Sequence, residues 1–160
     1  IPAMSVVPIS SPHEANDYVV VVYQNVMIQR IRGAIDASFL RASLAGHHAA
    51  LNHDPTGYGV ITLVEGTAKV PPAAVRDEAA ILREKTQHRL KAQSVLIGSD
   101  GFFASTMRAV ITGIVTLARS RVPLRMVGDE QAAADFMVER VCPGVQATAL
   151  RDVLVSLRRS

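Results

Sequence analysis

Aromatic residues are scarce in this chain: no tryptophan, three tyrosines and four phenylalanines among 160 residues. Stacking-based recognition of single-stranded nucleic acid needs exposed rings, so that mode of binding is disfavoured. The core must be aliphatic. There is one cysteine, Cys142, so no internal disulfide framework exists, and a reducing compartment is the expected setting. Cys142 stands before Pro143-Gly144 at the end of an expected helix and reads as a small packing residue. No run of 18 apolar residues occurs, so no membrane span is expected. The opening "IPAMSVVPISSP" has neither the basic region nor the apolar block of a signal peptide, and the expected location is cytoplasmic. No low-complexity linker or repeat divides the sequence.

Hydrophobic residues make up 49% and charged residues 19%, enough apolar material for an ordinary core. The net charge of +3 comes largely from arginine. Apart from Arg119/Arg121/Arg125 and Arg158/Arg159 the basic residues are spread, without the clustered face of a nucleic-acid binder, and no nucleic-acid partner is expected.

Residues 1–16 hold three prolines and several serines and read as a loose lead-in to a single domain over 17–160. "YVVVVYQNVMIQRI" predicts a β-hairpin, with strands near 18–23 and 26–32 turning at Gln24-Asn25. In its second half Val26, Ile28 and Arg30 point one way, and Met27, Gln29 and Ile31 the other. Asp36 is a good N-cap for a helix over 36–54, with Phe39, Leu40, Leu44, His47 or His48, and Leu51 at helical spacing. "YGVITLVEG" is a buried strand. The segment 70–93 predicts the longest helix, started by Pro71-Pro72, with Val75, Ala79, Leu82, Thr86 and Leu90 inward. "SVLIG" is a further strand, followed by a turn and a helix over 105–121. A strand at 122–128, a helix over 129–141 capped by Asp129, and an amphipathic C-terminal helix complete the pattern. Strands separated by helices require crossovers, so the expected fold is α/β, with helices on a mixed, mostly parallel sheet of about five strands and an extra C-terminal helix.

Several chemistry-bearing groups stand out. His47, His48, His53 and Asp54 cluster in sequence, but spacings of one, five and six do not turn ligands to one helix face, and no metal site is expected. His13 and His88 are isolated. No G-x-S-x-G elbow is present, and Ser99-Asp100 reads as turn chemistry. The chain has neither G-x-x-x-x-G-K-[ST] nor G-x-G-x-x-G, so no nucleotide fingerprint exists. No enzymatic activity and no cofactor are expected. The remaining candidate is the helix start near Ser105 and Thr106, with Asp100 and Arg108 beside it. There two hydroxyls can cap the helix, bind an anion or accept a phosphate.

The stretch "VLIGSDGFFASTMRAVITGIVTLARSRVPLRMVGDEQAAADFM", within 18–141, resembles the STAS-like fold family in its order of strand, small-residue turn, helix, strand and short helix. The resemblance implies a small cytoplasmic regulatory module that binds a partner protein. In anti-anti-sigma members a serine at the helix start, in an Asp-Ser-Ser/Thr-Gly context, is phosphorylated to release that partner. Ala104-Ser105-Thr106-Met107 falls in the corresponding place, with Ala104 where the acid stands and Met107 where the glycine stands. Two readings follow. The first is a non-enzymatic protein-interaction module docking through the helix near Ser105, with a homodimer possible through the C-terminal helix. The second is a binder of a lipid or anionic metabolite, which requires an apolar cavity between the sheet and the helices over 75–92 and 105–120.

Overall fold

The computed structural model describes residues 6–160. Its strands are β1 (Val6–Pro8), β2 (Tyr18–Tyr23), β3 (Val26–Ile31), β4 (Tyr58–Val64), β5 (Leu90–Ile97) and β6 (Leu124–Val127). Its α-helices are α1 (Ala37–His53), α2 (Ala73–Thr86), α3 (Gly101–Leu117), α4 (Glu130–Arg140) and α5 (Ala147–Arg159). The strands form one sheet in the order β1-β2-β3-β4-β5-β6. The β1·β2 and β2·β3 pairings are antiparallel, and those from β3 to β6 are parallel. The fold is α/β with a mixed sheet. It has six strands and not five, because residues 6–8 of the expected lead-in add an edge strand. Residues 1–5 of that lead-in lie outside the described residues.

The hairpin turns at Gln24-Asn25, where Gln24 takes the left-handed φ of 56° that a tight reversal requires. Alternation along β3 then assigns its faces. Val26 and Ile28 pack with α4 and α5. Met27 and Ile31 pack with α1 and with Met107 of α3, while α2 supplies Val75, Ala79 and Leu82 to the same side. The crossovers through α1, α2 and α3 thus cover one face, and α4 with α5 cover the other. α1 rests close on the sheet at Gly46, where a Cβ would stand 2.7 Å from Met27 Cγ and 2.8 Å from Val20 Cγ1.

Arg30 is buried on the α5 side, where its Nη1 donates to Leu157 O at 2.7 Å and Ser160 Oγ at 2.6 Å. Leu150, Val153 and Leu154 of α5 are buried in the chain's own core. Of the two uses open to the apolar stripe of the C-terminal helix, covering its own sheet or pairing with a second copy, these residues serve the first. Among the described residues no helix is long and apolar enough to cross a membrane.

Several boundaries differ from the sequence expectation, three of them near the sheet face that α2 and α3 cover. The helix expected over 70–93 ends at Thr86, and Leu90 begins β5, pairing with Tyr58. Helix propensity in "HRLKAQ" is overridden by the sheet, since Leu90 and Ala92 are both buried there. Pro72 is the N-cap of α2 and lies just outside the helix. α3 begins at Gly101 behind an N-cap at Asp100, four residues before the expected start. Gly101 enters the helix at a φ of 71°, a conformation that glycine adopts freely.

Candidate functional site

Three adjacent strands each place one polar side chain on the face covered by α1, α2 and α3. Gln29 of β3 stands opposite Thr62 of β4 in register, and Gln93 of β5 lies diagonal to Thr62, being paired with Val60. Each interrupts an otherwise apolar, inward-facing series, such as Met27-Gln29-Ile31 or Val60-Thr62-Val64. Over them lies a cavity of about 120 Å³, bounded by the sheet and by residues of α1, α2 and α3. Its walls are mostly aliphatic, with Ile35 and Phe39 at one side, Val75 and Leu82 from α2, and Met107 and Ile111 from α3. Of α3, only Ala104 and Met107 are fully buried, so this helix roofs the space without filling it.

The polar floor is one connected chain. Ser43 Oγ donates to Gln29 Oε1 at 2.9 Å, and Gln29 Nε2 donates to Thr62 Oγ1 at 2.9 Å. Gln93 Nε2 donates to the same Thr62 oxygen at 3.4 Å. Arg83 Nη1 donates to Gln93 Oε1, and Arg83 Nε donates to Ser120 Oγ at 3.3 Å. Thr62 Oγ1 thus receives two amides, which occupy its lone pairs and leave its own O–H to donate. Arg83 Nη2 is buried without a hydrogen-bond partner. The network therefore ends in unused donors.

Arg83 carries the site's charge. It is 7% exposed, and none of the ion pairs among the described residues includes it. Burial pulls its pKa down to about 10, with the neighbouring Tyr58 raising it in part. A buried cation normally has a carboxylate partner, because desolvation of a lone charge is costly. Its second support, Ser120, is placed by the end of α3. There Ser120 N donates to Val115 O at 3.0 Å, and Arg119 takes a left-handed φ of 53°, as in a Schellman termination.

At the rim of the same face, His47 Nδ1 lies 2.7 Å from Tyr58 Oη, and Tyr58 Oη donates to Thr86 O at 2.7 Å. With the phenol proton so used, His47 carries its proton on Nδ1 and keeps Nε2 as an acceptor. Burial, then the charges of Arg83 and His48, lower its pKa to about 3, so the ring is neutral. Burial raises Tyr58 to about 12.

The residues singled out in sequence are placed elsewhere. Ser105 and Thr106 lie inside α3 and do not cap it; Thr106 Oγ1 donates back to Phe102 O at 2.9 Å. Asp100 is the N-cap but makes no side-chain capping bond. Asp100, Ser105 and Arg108 are exposed, away from the cavity lining. Ser99 Oγ donates to Asp100 O at 3.4 Å, and among the described residues neither Ser99 nor Ser105 bonds a histidine. The histidine cluster separates: His47 is buried, His48 and His53 are exposed, and Asp54 bonds Thr56. No group of metal-ligating side chains forms among the described residues. Cys142 is buried and its thiol is pushed up to about 11. Arg125 lies over the Phe136 ring at 4.6 Å, and Arg158 pairs with Glu130 at 2.7 Å.

Arg83 was not legible as a site residue, although a signal existed: it follows Leu82 and stands four residues after Ala79, inside the apolar stripe of α2. No family model, curated protein or solved structure matches the chain.

Proposed function

We propose that this chain is a small-molecule-binding domain, a carrier or sensor, whose ligand occupies the cavity beneath α2 and α3. The observation that carries this reading is the unpaired, buried Arg83 beside an aliphatic space. Natural cores leave few buried donors unsatisfied, and an apolar cavity forfeits packing. Both costs are recovered when a ligand fills the space. A volume of about 120 Å³ is somewhat below the roughly 150 Å³ of an engineered lysozyme cavity that takes up benzene.

A thermal-shift panel of aliphatic and aromatic molecules of that size, neutral and charged, tests the proposal. A subset should raise the melting temperature of the native chain and leave that of Ala79→Phe, whose side chain fills the space, unchanged. If no member of the panel shifts the native chain, the proposal fails.

A second reading rests on the outer side of α3, where Phe102 is 88% and Leu117 61% exposed. A protein partner docking there would accord with the STAS-like resemblance and with Ser105 and Thr106 on the same helix. Ser105→Asp and Thr106→Asp should then weaken capture of that partner.

A further inference from the structure

We infer that the cavity's ligand is a monocarboxylic acid with a short apolar body, its carboxylate held by Arg83 Nη2 and the Thr62 hydroxyl. The inference rests on the cavity-binding reading and names the ligand class for it.

The head group follows from the donor inventory. Gln93 touches both ends of the site, since its Oε1 accepts from Arg83 Nη1 and its Nε2 donates to Thr62 Oγ1. Arg83 and Thr62 are therefore spanned by one carboxamide and its two hydrogen bonds. Two donors at that separation, one of them cationic, suit the two oxygens of a planar carboxylate. A neutral amide or alcohol would leave the guanidinium charge uncompensated. A cation would add like charge to it.

The number of charges follows from what else is near. Arg83 is the cavity's one cation: of the other lining residues only His47 could carry a positive charge, and burial keeps it neutral. A phosphate dianion would bury a second negative charge among aliphatic walls, at the cost that such desolvation carries. One compensated charge is what the site can accommodate.

The body follows from volume and lining. Within about 120 Å³, less than the roughly 150 Å³ that takes up benzene, a carboxylate leaves room for only a few more carbons, so an acid of roughly four or five carbons fits. Val75, Leu82, Met107 and Ile111 would surround that body without offering it a hydrogen bond.

Isothermal titration of the purified chain at neutral pH with butyrate, isovalerate, butyramide, isovaleramide and inorganic phosphate tests this. Each acid should bind at least ten-fold more tightly than its amide, and phosphate should not bind. In Arg83→Met the acids should weaken at least ten-fold while the amides hold. Arg83→Lys, which keeps the charge without the planar fork, should fall between. Amides that bind as tightly as acids would overturn the head-group assignment and leave the cavity reading standing. Phosphate binding as tightly as the acids would overturn the apolar body. If neither acids nor amides bind, both readings fall. The acid–amide comparison uses the native chain, so it does not depend on how the variants fold.

Discussion

His47 Nδ1 and the Tyr58 hydroxyl lie 2.7 Å apart, and because that hydroxyl donates to Thr86 O, the ring must be the donor. The pair links α1 to β4 and to the end of α2, at the rim of the cavity. Its imidazole is neutral because burial, with the nearby Arg83 charge, suppresses the charged form.

This gives a dependence of stability on pH. The folded pKa of His47, about 3, lies below the ordinary value near 6.5. Between those values the unfolded chain holds the extra proton. The stabilisation is complete above about pH 6.5 and is lost as pH falls, by about 1.4 kcal/mol per pH unit at most. His47→Gln keeps a donor without the titration. Urea unfolding at pH 7.5, 6 and 5 should show the native chain losing stability faster than His47→Gln as pH falls. Parallel losses would remove His47 as the cause.

Arg83 should cost the empty protein stability. A guanidinium pKa near 10 against 12.5 corresponds to about 3 kcal/mol by the rule of 1.36 kcal/mol per unit. Replacing Arg83 alone would orphan Gln93 Oε1, so the informative variant is Arg83→Met with Gln93→Leu, which removes both ends of that bond. Chemical denaturation at pH 7 without ligand should find the double variant at least as stable as the native chain, by up to about 2 kcal/mol. A loss of more than about 1 kcal/mol would make Arg83 a structural residue.

Ser105 is exposed and makes no side-chain hydrogen bond among the described residues, so Ser105→Asp should change unfolding free energy by less than about 0.5 kcal/mol. A substitution that lowered stability by about 1 kcal/mol would restore the hydroxyl as a helix cap. Partner capture can be measured on the same variant, because its fold is not at stake.

What the residues disclosed in advance depended on how local the signal was. The hairpin turn at Gln24-Asn25, the faces of Val26 and Met27, and the caps at Asp36 and Asp129 were all readable, since each is set within a few residues. Asp36 accepts from Phe39 N at 3.1 Å and Asp129 from Ala132 N at 2.8 Å. The conversion of Leu90–Gln93 from expected helix to strand was not readable, because pairing with β4 and burial of Leu90 decide it. That error also hid Gln93.

The need for a cavity beneath the helices over 75–92 and 105–120 could be stated from sequence as a requirement of ligand binding. Its contents could not. Ser43, Gln29, Thr62, Gln93 and Arg83 come from five elements, and only the register of β3, β4 and β5 joins them. The helix start near Ser105 drew notice through its small polar residues. Its real beginning at Gly101, behind Asp100, puts those hydroxyls in the helix body, where they serve neither as cap nor as part of the cavity.

The most direct test is a methyl NMR titration of the chain with isovalerate at neutral pH. Binding beneath α2 and α3 predicts saturable shifts at Val75, Ile111 and Met107, which line the cavity, and none at Leu150 or Val153 on the opposite face. Shifts confined to the outer side of α3, or no saturable shifts at all, would contradict the account.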